Sequence, residues 1–172
     1  MVRASEGRRN HVGDAMRKNG FTLIELLVTI AVAVILATVA VPGFQRMMDV
    51  NRVAADHNEI LSGLHYARSE AIKRREKVTF DVTATSPWSY QVTVDGMSDP
   101  VRVRRGRDGV TSVNDADFDV IFNALGKPAK KDEAGNITSC SSGCSLTLIH
   151  PRAGDRLIEV NAMGRVKGGA AS

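Results

Sequence analysis

Residues 21–41 read FTLIELLVTIAVAVILATVAV, an apolar run whose single charged side chain is Glu25. As a helix, the run would extend roughly 32 Å at about 1.5 Å per residue, which is enough to cross the hydrocarbon core of a bilayer. Arg17 and Lys18 precede the run, and Pro42 follows it. Because basic flanks remain cytoplasmic, we expect the bulk of this 172-residue chain to lie across the membrane.

A secretory signal and a plain signal anchor are two ordinary explanations of the apolar run, and neither accounts for all of its features. A cleaved secretory signal has an apolar core of about 7–15 residues and then a small-residue cleavage site, whereas residues 42–45 read PGFQ. A plain signal anchor accounts for the length of the run but not for Glu25. A carboxylate in the apolar core costs about 2.5–3.5 kcal/mol on insertion scales. Glu25 is therefore a functional candidate, and its expected partner is a cation.

The residues around this carboxylate carry a family resemblance. Residues 18–27, KNGFTLIELL, resemble the processing site of type IV pilins and type II secretion pseudopilins. The resemblance implies that a prepilin peptidase removes a leader, residues 1–20, by cutting between Gly20 and Phe21, and then methylates the new N terminus. Glu25 and Pro42 then become the fifth and twenty-second mature residues, as the family pattern requires.

The physical chemistry of the segment agrees with this family role. In a fibre, Glu25 of one subunit can meet the amino terminus of a neighbouring Phe21, so that each charge offsets the burial cost of the other. Only one axial stagger brings the two charges together. Pro42 lacks an amide donor and clashes with the preceding turn, so we expect it to kink or locally melt the helix.

The leader of 20 residues is long for this family. Translation from Met16 would give the short basic leader Met-Arg-Lys-Asn-Gly. We hypothesise that residues 1–15 are a misassigned start or a dispensable extension, and both Met1 and Met16 stay open as the start.

The chain after Pro42 continues as a helix in which apolar residues recur every three or four positions from Val50 to Ala71. We expect residues 45–58 to protrude, residues 60–72 to pack on a sheet, and the helix to end near residues 74–77. His57 lies on the apolar face, where we interpret it as a satisfied interfacial histidine rather than a pH sensor.

Residues 77–172 change to period-two alternation, which predicts six or seven antiparallel strands in one globular domain. The predicted fold is therefore α+β: a long pilin helix over 21–76, transmembrane over 21–41, packed on an antiparallel β domain. This order resembles the GspH/FimT branch of minor pilins and pseudopilins, as do residues 67–74, ARSEAIKR, and the closing stretch at 164–166.

Composition and motifs give no sign of catalysis. The four histidines lack metal-ligand spacing, and no catalytic, metal or cofactor site is predicted. Cys140 and Cys144 lie four positions apart without a second ligand pair, which leaves a disulfide or two free thiols. The leader supplies three of the four net positive charges, so the rest of the chain as a whole does not have the charge of a nucleic-acid binder.

Two function classes remain. The first is a non-enzymatic minor pilin or pseudopilin of the inner membrane, with a periplasmic globular domain. Its implied partners are other pilins or pseudopilins, the prepilin peptidase and the inner-membrane assembly platform. The second is a DNA-binding minor pilin for natural transformation, because residues 164–167, GRVK, resemble the Gly-Arg-x-Arg motif of FimT-type proteins. The candidate DNA contacts are Arg165, Lys167, Arg102 and Arg104. Lys167 lacks the planar fork of arginine, and the two arginines on the strand also fit a solvated edge that resists aggregation.

Overall fold

The computed structural model describes residues 20–131, 136–141 and 143–171. The leader before Gly20, and with it the choice between Met1 and Met16, lies outside these residues. The chain divides into two compact units that meet between Val41 and Pro42.

The N-terminal unit contains the first part of helix α1 (Leu23–Arg74). Thr22 caps this helix, since its side-chain oxygen accepts a hydrogen bond from the amide of Glu25 at 3.2 Å. Thr22 and Glu25 have the spacing of a capping box. By length and composition, α1 is the one helix in the described part of the chain that suits a membrane crossing, and its apolar stretch buries none of its residues within the chain.

Helix α1 is continuous through Pro42. The expected local melting is therefore wrong. A proline within a helix removes one backbone hydrogen bond and clashes with the preceding turn, but the remaining bonds on either side hold the helical path. The kink expected at the same residue stays a prediction.

The second part of α1 lies in the C-terminal unit and ends at Arg74, within the predicted range. Arg75 follows with a φ of 60°, the left-handed conformation that commonly closes a helix. Residues 45–58 do not simply protrude, because Asp49 and Val53 are buried. Arg152, from the loop after Ile149, reaches this part of the helix, and its Nε lies 3.2 Å from Oδ2 of Asp49.

Ten strands follow the helix in the described residues: β1 (Val78–Thr85), β2 (Trp88–Val94), β3 (Arg102–Arg105), β4 (Ser112–Val113), β5 (Asp119–Phe122), β6 (Pro128–Lys131), β7 (Ile137–Ser139), β8 (Cys144–Ile149), β9 (Arg156–Val160) and β10 (Val166–Ala170). The predicted six or seven strands are too few, because β4, β6 and β7 have only two to four residues and show no alternation of apolar and polar side chains. All pairings are antiparallel, as predicted.

The strands form two sheets. The first has the order β3-β2-β1-β5-β6-β7, and the second has the order β10-β9-β8-β4. Inward-facing residues of both sheets and one face of α1 share a single core. Gly63 lets the helix approach closely, since a Cβ at this position would lie 2.6 Å from the ring of Tyr90.

Two turns, one from each sheet, meet beside the last part of α1. Gly126 lies between β5 and β6, and Gly164 lies between β9 and β10; both have positive φ, 71° and 75°. A Cβ on Gly164 would overlap the carbonyl oxygen of Gly126. Arg68 of α1 donates to the carbonyl oxygen of Met163 at 3.3 Å. The backbones of the two turns therefore touch, and the helix is bonded to one of them.

Candidate functional site

The start of α1 presents the processing and assembly residues at the surface of the chain. Phe21 and Glu25 are both exposed. The backbone amide of Glu25 is held by Thr22, whereas its carboxylate makes no hydrogen bond or ion pair with any described residue. Within residues 20–171 as the structure describes them, the carboxylate is thus exposed and without a partner. The contact with a neighbouring amino terminus, like the cut after Gly20, stays a prediction.

The two strand arginines are not a free basic patch. Arg102 and Arg104 lie on one face of β3, as the alternation predicts, and both contact Oε1 of Glu59, at 2.9 and 3.3 Å. The hydroxyl of Tyr90 donates to the same oxygen at 3.0 Å. The guanidinium of Arg102 also lies 5.2 Å from the centre of the Tyr66 ring. The cluster holds the edge strand β3 onto helix α1.

Charge compensation in this cluster also affects Glu59 itself. Partial burial would raise the pKa of the Glu59 carboxyl, but hydrogen bonds from Arg102 and Tyr90 and the charges of Arg102 and Arg104 outweigh it. The pKa therefore lies below its ordinary value, and the carboxylate stays charged at neutral pH. No local sequence pattern predicts that Glu59 pairs with Arg102, because 43 residues separate them.

Arg165, in the turn before β10, and Lys167, in β10, lie together in the second sheet region. Both line an open pocket of about 390 Å³ with Glu159, Asn161 and the loop around Cys144. In the β9–β10 pairing, Lys167 lies directly opposite Glu159. Neither cation forms an ion pair with a described residue. Of the four candidate DNA contacts, the structure therefore brings these two together and places Arg102 and Arg104 elsewhere.

Cys140 and Cys144 are joined by a disulfide in the structure. Their oxidation state in the cell stays a prediction. The bridge closes a short loop, and Ser141, Gly143 and Cys144 of this loop form one wall of the pocket. Since such a short loop removes little chain entropy, its main effect is local rigidity.

His57 is a satisfied interfacial residue, as interpreted from the sequence. Its Nε2 lies 3.3 Å from the carbonyl oxygen of Leu157 in β9. Gly168 of β10 makes room for the imidazole, because a Cβ at Gly168 would overlap the ring. The contact joins α1 to the second sheet.

An acidic groove on the outer face of the first sheet is a feature that the sequence does not reveal. Asp81 and Asp119 are direct partners across the β1–β5 pairing, and burial raises the pKa of both carboxyls. Gln91 and the amide of Lys131 donate hydrogen bonds to them. In the part of the chain that the structure describes, no group of three or more His, Cys, Asp or Glu residues suits a metal ion.

Comparisons with known proteins identify two regions. Residues 56–164 match the family model of the type II transport protein GspH, and residues 15–41 match the prokaryotic N-terminal methylation motif. No curated protein matches the chain.

Among solved structures, the chain resembles the type IV minor pilin FimU of Pseudomonas aeruginosa, with a TM-score of 0.52 and 17% sequence identity. This match covers 68% of the present chain and 87% of the FimU chain. A second crystal form of FimU gives a TM-score of 0.48 at 17% identity, covering 67% and 91% of the two chains. At this identity, the likeness shows the fold: a long N-terminal apolar helix and antiparallel sheets.

Proposed function

Because the chain belongs to the GspH family and carries the N-terminal methylation motif of pilins, we propose that this minor pilin assembles through its N-terminal helix into a type II secretion pseudopilus or a type IV pilus. The observation that carries the proposal is the carboxylate of Glu25, which pairs with no described residue and lies in the first turn of an exposed apolar helix. The family and the fold are those of structural, non-enzymatic proteins.

The proposed sequence of events begins in the inner membrane. The apolar stretch inserts once, with the basic leader in the cytoplasm and the C-terminal unit in the periplasm. The prepilin peptidase cuts between Gly20 and Phe21, so the membrane helix stays on the mature protein. The new amino group of Phe21 then lies four residues from Glu25, and an inner-membrane platform extracts the subunit into the growing fibre. The two sheets remain available for contacts with neighbouring subunits.

The mature N terminus tests this proposal. We expect mass spectrometry of the protein from membranes to show a chain that begins at N-methylated Phe21. A Gly20→Val variant should retain the leader, because a β-branched side chain at the cut site obstructs the peptidase. The matched control, Gly43→Val, places the same side chain at an open helical position and should be processed normally. A wild-type mature protein that retains residues before Phe21 would contradict the proposal.

The same experiment addresses the start of translation. In the uncleaved Gly20→Val precursor, a peptide spanning residues 3–15 would refute a start at Met16.

A DNA-binding role is the second candidate function. One observation favours it: Arg165 and Lys167 lie together beside an open pocket and are not neutralised by ion pairs with described residues. The compensation of Arg102 and Arg104 by Glu59 reduces the basic surface that this role could use.

DNA binding by the full-length protein in detergent distinguishes the two functions. If the second candidate is correct, duplex DNA binds at low salt, and the double variant Arg165→Ala with Lys167→Ala binds about tenfold more weakly or worse. The slope of the logarithm of the binding constant against the logarithm of the salt concentration should also become shallower, by the equivalent of about two phosphate contacts. The control pair Arg105→Ala and Arg107→Ala removes the same charge from exposed positions and should bind like the wild type. Absence of binding by the wild type at low salt would exclude this function.

A further inference from the structure

We propose that two matching turns form a docking surface for another fibre subunit, whose own surface has apolar side chains bordered by Asp or Glu. The turns are residues 123–127, NALGK, and residues 161–165, NAMGR. We call their exposed apolar residues, Leu125 and Met163, together with Ile72 of α1, the twin-turn patch. The identity of the partner as a fibre subunit rests on the proposed function.

The two turns have the same internal geometry. In the first, the side-chain oxygen of Asn123 accepts from the amides of Leu125 and Lys127, at 2.9 and 3.0 Å. In the second, the side-chain oxygen of Asn161 accepts from the amides of Met163 and Arg165, at 3.1 and 2.9 Å. The amide of each glycine also bonds to the carbonyl of its asparagine at 2.8 Å. Each turn is therefore a rigid frame that presents one apolar residue and then one cation.

The turns lie side by side. Gly126 and Gly164 are in backbone contact, and a Cβ on Gly126 would lie 2.8 Å from Cδ1 of Ile72. Leu125 and Met163 each precede one of these glycines, so the three apolar residues belong to one region of the surface.

The apolar side chains are not part of the core. Leu125 is 75% exposed, Met163 is 70% exposed, and Ile72 is 48% exposed. The turn geometry depends on the asparagines and glycines, so polar residues at positions 125 and 163 would satisfy it equally well. Exposed apolar side chains on two adjoining, rigid turns are typical of an interaction surface.

The basic residues around the patch indicate the class of partner. Lys127 and Arg165 flank the patch, Arg68 lies beneath it, and neither turn contains an acidic residue. A partner with Asp or Glu around an apolar centre complements this rim. A symmetric contact with a second copy would place like charges together. Nucleic acid fits less well, because neither turn offers an aromatic ring for base stacking.

Site-specific photo-crosslinking of the full-length protein in its host tests the proposal. A photoreactive residue is placed at position 125 or 163, and at Ile137 as the control, which is similarly exposed but lies on edge strand β7. We expect positions 125 and 163 to give at least about tenfold more crosslinked product than position 137. The crosslinked partner should be a different protein that carries an N-methylation motif. Peptide mapping should locate the crosslink beside Asp or Glu. Charge reversal by Lys127→Glu with Arg165→Glu should abolish it.

A second measurement uses substitutions that leave the fold intact. Leu125→Ser with Met163→Ser should lower recovery in sheared fibres about tenfold, equivalent to about 1.4 kcal/mol, with unchanged thermal unfolding. The control pair, Ile137→Ser with Ile149→Ser, replaces two exposed isoleucines outside the twin-turn patch, and this variant should enter fibres normally.

Several results would overturn the proposal: no enrichment over position 137, a crosslink to a second copy, to lipid or to DNA, or normal fibre entry of the serine pair. Crosslinking is scored in membranes as well as fibres, so it decides the role of the patch even if the wild type never enters fibres. Absence of the wild type from fibres refutes the proposed function. Normal fibre entry of the serine pair refutes only the docking surface.

Discussion

Replacement of Glu25 by glutamine is expected to remove the protein from fibres while its amount in membranes stays unchanged. In the proposed assembly, the Glu25 carboxylate pairs with the amino terminus of a neighbour in an apolar environment. Removal of one partner leaves the other charge buried and unpaired, which costs about 3–5 kcal/mol. That free energy corresponds to at least about a hundredfold loss of incorporation at equilibrium.

The choice of glutamine isolates the charge. Thr22 and Glu25 form the capping spacing at the start of α1, and glutamine serves the same capping position as glutamate. The helix start should therefore survive in Glu25→Gln. The matched control is Thr29→Val, a change one turn further along the same helix, where the hydroxyl bonds only to the carbonyl of Leu26.

Recovery in sheared fibres, divided by recovery in membranes, measures the effect. Thr29→Val should match the wild type, and Glu25→Gln should fall to background. Incorporation of Glu25→Gln at the wild-type level would show that the pairing of this carboxylate with an amino terminus does not drive assembly.

The substitution Gly164→Ala is expected to give the largest loss of folding stability. Gly164 has a φ of 75°, a conformation that costs an alanine roughly 1–2 kcal/mol. The new Cβ would also overlap the carbonyl oxygen of Gly126, a backbone atom that cannot rotate away. Forced movement in a packed region adds about 1–3 kcal/mol. We expect a total loss of about 2–5 kcal/mol in the free energy of unfolding.

Gly154→Ala is the control that separates these two causes. Gly154 has a similar φ of 79°, but a Cβ there meets nothing within 4 Å. It should lose only the conformational part, roughly 1–2 kcal/mol. Denaturant unfolding of the full-length protein in detergent, followed through the single tryptophan, Trp88, measures both variants. Equal losses in the two variants would show that the two turns do not press against each other.

The sequence predicts the features that arise from local patterns. A continuous apolar run predicts a membrane helix, an isolated carboxylate within it predicts a partner, and the residues around the cut site indicate the family. Alternation predicts the antiparallel strands and places Arg102 and Arg104 on one face. It fails for β4, β6 and β7, because two to four residues are too few to show a period.

Only the tertiary structure decides which of these residues meet. It pairs both Arg102 and Arg104 with the single carboxylate of Glu59 and brings Arg152 to Asp49. It places Arg165 and Lys167 beside a pocket, where neither forms an ion pair with a described residue. It also brings Arg68 to Met163 across 95 residues of chain and sets the two turns side by side. The helical and strand periods are properties of neighbouring residues, and so the sequence alone carries them. Contacts between the helix and two separate sheets depend on how the whole core packs, which no local pattern contains.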